Sequence, residues 1–181
     1  MKYQNTIQLK DGRECILRNG EEKDGAEALA VFTATHAQTE FLLTYPEEIR
    51  MSAEEEGAYL KGKEESLREV EIVAVVDQKI VGTAGIDEAG KQFKASHRAD
   101  FGIAIDQAYW GLGIGKALTK ACIDCARKAG YAQIELNVVA ENKAAVRLYE
   151  SAGFQEYGRN PRGFHTRGGG YQELIYMRLE L

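Results

Sequence analysis

Tyr109-Trp110-Gly111-Leu112-Gly113-Ile114-Gly115-Lys116 follows an apolar run, Phe101 to Ile105, and opens a helix-patterned segment, Ala117 to Ala129. The order is that of a strand feeding a glycine-rich turn that feeds a helix N-terminus. Three glycines at alternate positions remove Cβ atoms that would hold a ligand off the backbone, and they allow positive φ where several N–H groups must point one way. The helix brings its partial positive charge and its unpaired first-turn N–H groups to the same place. A phosphate or pyrophosphate is the natural guest. The competing reading is a glycine-rich turn with no ligand.

Outward from this turn the chain reads as one domain, residues 1–181, with a core of about 14–181 and an N-terminal hairpin strand. Val70 to Val76, Ile80 to Ile86 and His97 to Ile105 are strand-type runs joined by short polar turns, which predicts an antiparallel meander. Thr6 to Arg18 alternates around Asp11-Gly12, a hairpin signal. Between these, Glu21 to Thr35 carries a helical pattern, with His36 expected at its surface. Ser52 caps a helix from Ala53 to Glu65 whose many charges predict a solvated face. Beyond the turn, the helix Gly113 to Ala129 puts Ile114, Leu118, Ala121, Cys122, Cys125 and Ala129 on one face and stops at Gly130. Ile134 to Val139 is the next strand, and Asn142 caps a helix to Ala152 that ends at Gly153. Phe154 to Gly158 and Tyr171 to Leu181 are the last strands, with Arg159 to Gly170 expected as a mobile loop. The sum is an α/β (α+β) domain: a mixed, mostly antiparallel central sheet with helices on both faces. One parallel pairing comes from the strand-helix-strand unit around Gly113 to Val139.

Composition narrows the function classes. Hydrophobic residues at 44% and charged residues at 28% give a globular balance. No run of ~18 apolar residues occurs and the first residues lack a signal-peptide core, so a cytoplasmic protein without membrane attachment is expected. The net charge of −5 argues against a nucleic-acid footprint. The three cysteines form no disulfide framework; Cys122 and Cys125 sit mid-helix and read as core packing. No His/Cys/Asp cluster has metal-ligand spacing, and no nucleophile sits in an elbow motif, so no metal and no covalent acyl-enzyme is expected.

Two familiar phosphate loops fail on named positions. G-x-G-x-x-G started at Gly111 needs glycine at Lys116, and started at Gly113 needs it at Leu118; a P-loop would need Gly at Trp110 and Ser or Thr at Ala117. The remaining pattern resembles the acyl-CoA pyrophosphate loop of the GNAT superfamily of N-acetyltransferases, usually Gln/Arg-x-x-G-x-Gly/Ala, with Trp110 here at the Gln/Arg position. A second segment, Asn137 to Phe154, resembles that family's N-x-x-A and L-Y-x-x-x-G-F signature: Asn142, Ala145, Leu148, Tyr149, Gly153 and Phe154 fall on pattern. The strand order extends the resemblance over roughly residues 14 to 181, the first third being the variable part.

The resemblance implies a GNAT-like fold and direct acetyl transfer from acetyl-CoA to a primary amine of a small molecule or protein. A non-catalytic acyl-CoA-binding regulatory module is the alternative, and a nucleotide-binding protein a third. It implies that Phe101 to Ile105 and Ile134 to Val139 splay apart, at a bulge, to admit pantetheine along Ile103, Ala104 and Ile105, with a backbone N–H near Ile103 facing the thioester oxygen. Trp110, Gly111, Leu112, Gly113, Ile114, Gly115 and Lys116 would hold the pyrophosphate, chiefly through backbone N–H groups, Lys116 being equally readable as a solvated lysine. Spacing puts Asn142 and Tyr149 two helical turns apart on one face, so one elongated ligand can touch both. By resemblance Asn142 contacts the pantetheine arm and Tyr149 protonates the departing thiolate; as plain residues they are an N-cap and a packing tyrosine. Asp100 and Glu135, one in each central strand, are the base candidates, ahead of His97 and His165. The acceptor's walls are expected in Phe41 to Tyr45 and in the Arg159 to Gly170 loop, where Arg162, His165 and Arg167 suit an acceptor carboxylate or phosphate. A homodimer is compatible with everything above.

Overall fold

Alternation of side chains along each strand sorts the sheet into two apolar faces. The computed structural model describes Met1–Leu181. Its eight strands are β1 (Gln4–Gln8), β2 (Glu14–Asn19), β3 (Val70–Val76), β4 (Lys79–Glu88), β5 (Arg98–Ile105), β6 (Gln133–Val139), β7 (Gln155–His165) and β8 (Tyr171–Glu180), in the order β1-β2-β3-β4-β5-β6-β8-β7. All pairings are antiparallel except β5 with β6. Four helices cover the two faces: α1 (Gly25–Ala37) and α2 (Ala53–Glu65) pack on one, α3 (Ile114–Lys128) on the other, with α4 (Lys143–Ser151) against α3.

The face under α3 holds the larger core. Ile72, Ala74, Ile86, Ala99 and Phe101 of the sheet meet Ile114, Leu118, Ala121, Cys122 and Cys125 of the helix. Leu118 is fully buried, and truncating it to alanine would cost about 2–5 kcal/mol. The thiols here are packing atoms: burial pushes Cys122 well above the usual thiol range. On the other face Val73 and Ile80 pack on Ala28 and Leu60. Local signals set the element ends. Ser52 and Glu55 form a reciprocal capping box at α2, Asn142 caps α4, and Asp77-Gln78 turns the β3–β4 hairpin with both residues at positive φ.

The two central strands part company early. β5 and β6 pair only through Arg98↔Gln133, Ala99↔Ile134 and Asp100↔Glu135, so the remainder of β5, through Ile105, faces a gap. The expected bulge is not what opens it, because β5 keeps unbroken register with β4 from Ala99 to Ile105. The irregularity lies one strand away, between β3 and β4 at Ala74/Val75.

Four further expectations are corrected. Arg159 to His165 is no loop but the continuation of β7, paired to β8 through Phe164↔Gln172 and His165↔Tyr171, leaving only residues 166–170 as a turn. Its charges mark an edge strand solvated on one side, which sequence alone renders as loop. His36 is buried, stacked on Phe32 with Nδ1 2.7 Å from the Phe32 carbonyl. The charged α2 also buries Lys63, whose ammonium is neutralised by Asp87 and Glu69. The β4–β5 connection, residues 89–97, is longer than a short turn. No helix is long and apolar enough to cross a membrane.

Candidate active site

The turn after β5 is held at both ends. The Asp106 N–H donates to the Val81 carbonyl (2.9 Å), and the Trp110 indole Nε1 donates to the Ile105 carbonyl (2.8 Å). Trp110 thereby staples the turn to its own strand, and it also lines the cavity that opens here. From the end of α1, Gln38 donates to Asp106 Oδ1 (3.1 Å) and accepts the Gln107 N–H (2.8 Å). Gly111 and Gly113 stand at φ +77° and +104°, and a Cβ at either would project into open space. That clearance is a cradle in which a ligand can reach main chain. α3 begins at Ile114, so the N–H groups of Ile114, Gly115 and Lys116 have no acceptor within the helix. The Ile114 side chain itself is in the core, and the Leu112 side chain packs against that core.

A cavity of about 360 Å³ runs from this cradle along the gap to α4, lined by Ile103, Ala104, Ile105, Asn142, Leu148 and Tyr149. Lys116 and Lys10 bring two positive charges to it. Lys10 was missed from sequence; it arrives because its backbone N–H bonds the Leu112 carbonyl (3.2 Å), tying the β1–β2 hairpin to the glycine turn. Asn142 serves two ends at once, its Oδ1 accepting the Ala145 N–H (3.2 Å) while it lines the cavity. Tyr149 is 7% exposed, held edge-on by Phe101 and Phe154 at ring separations of 6.0 and 5.9 Å. Burial pushes its phenol above the ordinary tyrosine range, so the hydroxyl keeps its proton at neutral pH.

The β4–β5 ladder fixes where the Ile103 N–H points. Backbone bonds Ala89 N–H to Arg98 O and Asp106 N–H to Val81 O bracket the pairing, and antiparallel alternation between them assigns Gly102 and Ala104 to β4. Ile103 and Ile105 are thereby aimed into the gap, away from β4.

A second cavity, about 570 Å³, lies on the α1–α2 side and shares Leu42, Ile103 and Ala104 with the first. Its walls are mainly apolar, from Leu29 and Phe32 of α1 and from Leu43, Ile49 and Met51 of the connection to α2. Its polar groups include His36, Arg50, Glu56, Glu71 and Asp87. Burial lowers the His36 pKa and raises that of Glu56. Burial likewise pushes the Glu71 carboxyl up to about 7, the Thr83 hydroxyl and the Lys63 cation opposing it. Sequence reasoning passed over Glu71, although a single acid inside Val70 to Val76 was a readable signal.

Neither sequence candidate for the base lines either cavity. Glu135 is buried in a two-pronged ion pair with Arg98 and accepts from Gln133, and the Arg98 bond holds its pKa down. Asp100 stands on β5 opposite Asp87, open to solvent on one side; partial loss of water around its carboxyl and the nearby Glu135 charge raise its pKa. The expected basic wall is also elsewhere. Arg167 covers the Tyr45 ring at 4.0 Å and pairs with Glu47 and Glu48, while Arg162 and His165 pack on Tyr171. Of the Phe41 to Tyr45 stretch, Leu42, Leu43 and Thr44 do line the second cavity. No group of three or more His, Cys, Asp or Glu is placed to hold a metal ion.

Residues 34–154 match the family model described as Acetyltransferase (GNAT) family. Among curated proteins, the chain is 32% identical over 108 residues to the L-amino acid N-acetyltransferase AaaT of Escherichia coli, a match covering 59% of this chain and 65% of that relative. The chain thus spans just under two thirds of that protein's length. Among solved structures, an acetyltransferase of the GNAT family from Streptococcus pneumoniae superposes with a TM-score of 0.88 at 28% identity, covering 92% of this chain and 99% of that one. The Salmonella typhimurium protein yncA, solved with its cofactor acetyl-CoA, superposes at 0.82 over 98% of this chain and 94% of its own; at 19% identity it bears on the fold alone.

Proposed function

The chain belongs to the GNAT acetyltransferase family, and from that premise we propose that it is an acetyl-CoA-dependent N-acetyltransferase acting on a primary amine by direct transfer. The observation that carries this reading is the meeting of two cavities at Ile103 and Ala104. One is a glycine cradle continued by a narrow gap, suited to a long phosphorylated thioester. The other is a roomier, mainly apolar chamber suited to an amine.

In this reading the backbone N–H groups of Leu112 to Lys116 hold the pyrophosphate, with charge from Lys116 and Lys10. Ile103, Ala104, Ile105 and Asn142 line the pantetheine arm. The Ile103 N–H faces the acetyl oxygen, where a fixed donor in a water-poor cleft stabilises developing negative charge. When bound, acetyl-CoA supplies the activated acetyl group; Tyr149 holds the proton for the departing sulfur. A free amino acid is the favoured acceptor class, on two supports: the named activity of the AaaT relative, and Arg50, which lines the chamber and is engaged in no ion pair within the chain. Release of thiol from acetyl-CoA, followed across free amino acids, polyamines and peptides, tests the proposal. Transfer to amino acids supports it. Tight CoA binding without transfer to any amine would make the protein a binding module instead.

A further inference from the structure

Three consecutive positions across the sheet form a row on the α1–α2 face: Glu71 on β3, Gly85 on β4 and Gly102 on β5, paired as Glu71↔Gly85 and Gly85↔Gly102. Neighbouring strands lie about 4.8 Å apart, so the row spans roughly 10 Å of backbone. Its middle member has no side chain, and the Glu71 carboxylate fills that room, Oε2 standing where a Gly85 Cβ would be only 2.0 Å away. The acid therefore leans over β4 toward β5. Beyond it, open space lies over Gly102, where β5 has already left β6, and Glu71, Gly102 and Ile103 all border the larger chamber.

We propose that Glu71 is the general base that takes the proton from the acceptor ammonium. This rests on the acetyltransferase reading. The ammonium gives one proton to Glu71; its nitrogen then forms the C–N bond with the acetyl carbon and the C–S bond breaks. The sulfur takes a proton from Tyr149, the nitrogen's second proton restores the phenol, and Glu71 releases its own to solvent. Protons and charge balance with no further reactant. The groups facing this carboxyl are Glu56, Tyr59 and Lys63 of α2, Asp87 of β4, His36 of α1 and Arg50 across the chamber, with the Cys122 thiol behind the sheet. Lys63 and the Thr83 hydroxyl favour the ionised form, Asp87 and Glu56 oppose it, and burial outweighs both, so the acid titrates near neutrality. A base at that position is half ionised at working pH and still basic enough to accept a proton.

The test has two readouts. Side-chain carboxyl NMR on the unliganded protein should show one carboxyl titrating near 7 that disappears in Glu71→Gln. The pH profile of kcat/KM should carry an acid limb at the same value. Glu71→Gln should lose that limb and fall about 10²- to 10⁴-fold in kcat while keeping CoA affinity. Thr83→Val, which leaves the acid in place but removes a group favouring its charged form, should move the limb to higher pH; it keeps the proposal testable if the first variant misfolds. A wild-type rate and limb in Glu71→Gln, or no carboxyl titrating near 7, overturns the assignment while leaving the enzyme reading intact. A wild-type protein that acetylates no amine overturns both.

Discussion

Gly85 lies directly across the strand pair from Glu71, and the carboxylate occupies the volume that any larger residue at 85 would claim. Gly85→Ala should therefore push the acid off its line to β5. Turnover should fall at least tenfold with CoA affinity unchanged, and stability should drop by about 1–3 kcal/mol from overpacking. Steady-state kinetics with thermal unfolding checks this; a fully active Gly85→Ala would show that the placement of the acid is immaterial.

Tyr149→Phe keeps the ring that Phe101 and Phe154 hold edge-on and removes only the proton donor. Stability should change by less than about 1.5 kcal/mol. The rate should fall about 10²-fold or more, with CoA affinity preserved. An unchanged rate would assign the residue to packing.

At Gly113 the backbone sits at φ +104°, where a β-branched residue is strained, and the open space above it is where a phosphate would lie. Gly113→Val should weaken CoA binding at least tenfold by calorimetry. Circular dichroism must show an intact fold for the comparison to count, and normal affinity in such a protein would remove the turn from the binding site.

The Arg98–Glu135 pair predicts a pH dependence of stability rather than of rate. Its folded pKa is depressed from 4.5, so its contribution is present above that value and is lost as pH falls through the lower, folded value. The stability gap between wild type and Glu135→Gln should be largest near pH 7 and should shrink as the pH falls below 4.5. Denaturant titrations across that range would show it, and a gap independent of pH would contradict it.

Arg167, at the tip of the β7–β8 hairpin, clasps Tyr45, Glu47 and Glu48 in the connection whose neighbouring residues wall the chamber. Arg167→Ala should raise hydrogen exchange in residues 40–51 and raise the KM for the amine severalfold, with the Kd for CoA unchanged. Equal exchange in both proteins would mean that the clasp bears no load.

The sequence by itself determined the glycine turn and the two helices beside it. Glycines at alternate positions before a patterned helix, and an asparagine and tyrosine two turns apart, are local facts: positive φ, free N–H groups and helical period follow from a handful of adjacent residues. Hence the glycine turn, α3, Asn142 and Tyr149 are legible in order from the sequence. The β3–β4–β5 meander and the parallel β5–β6 pairing were legible for a related reason, since each joins sequence neighbours, whereas the insertion of β8 between β6 and β7 was not.

The tertiary structure alone decided which acids are paired and which border the larger chamber. Whether an acid is free or spent depends on partners distant in the chain: Glu135 is taken by Arg98 and Lys63 takes Asp87, so equally plausible carboxylates have different fates. The same holds for Glu71, whose direction is set by a glycine fourteen residues away and whose proton affinity is set by the water excluded around it. Edge-strand pairing carried β7 on through residues 159–165, which read as loop, and packing buried His36. Local dihedral preference travels along a sequence; desolvation and cross-strand register exist only once the sheet is assembled.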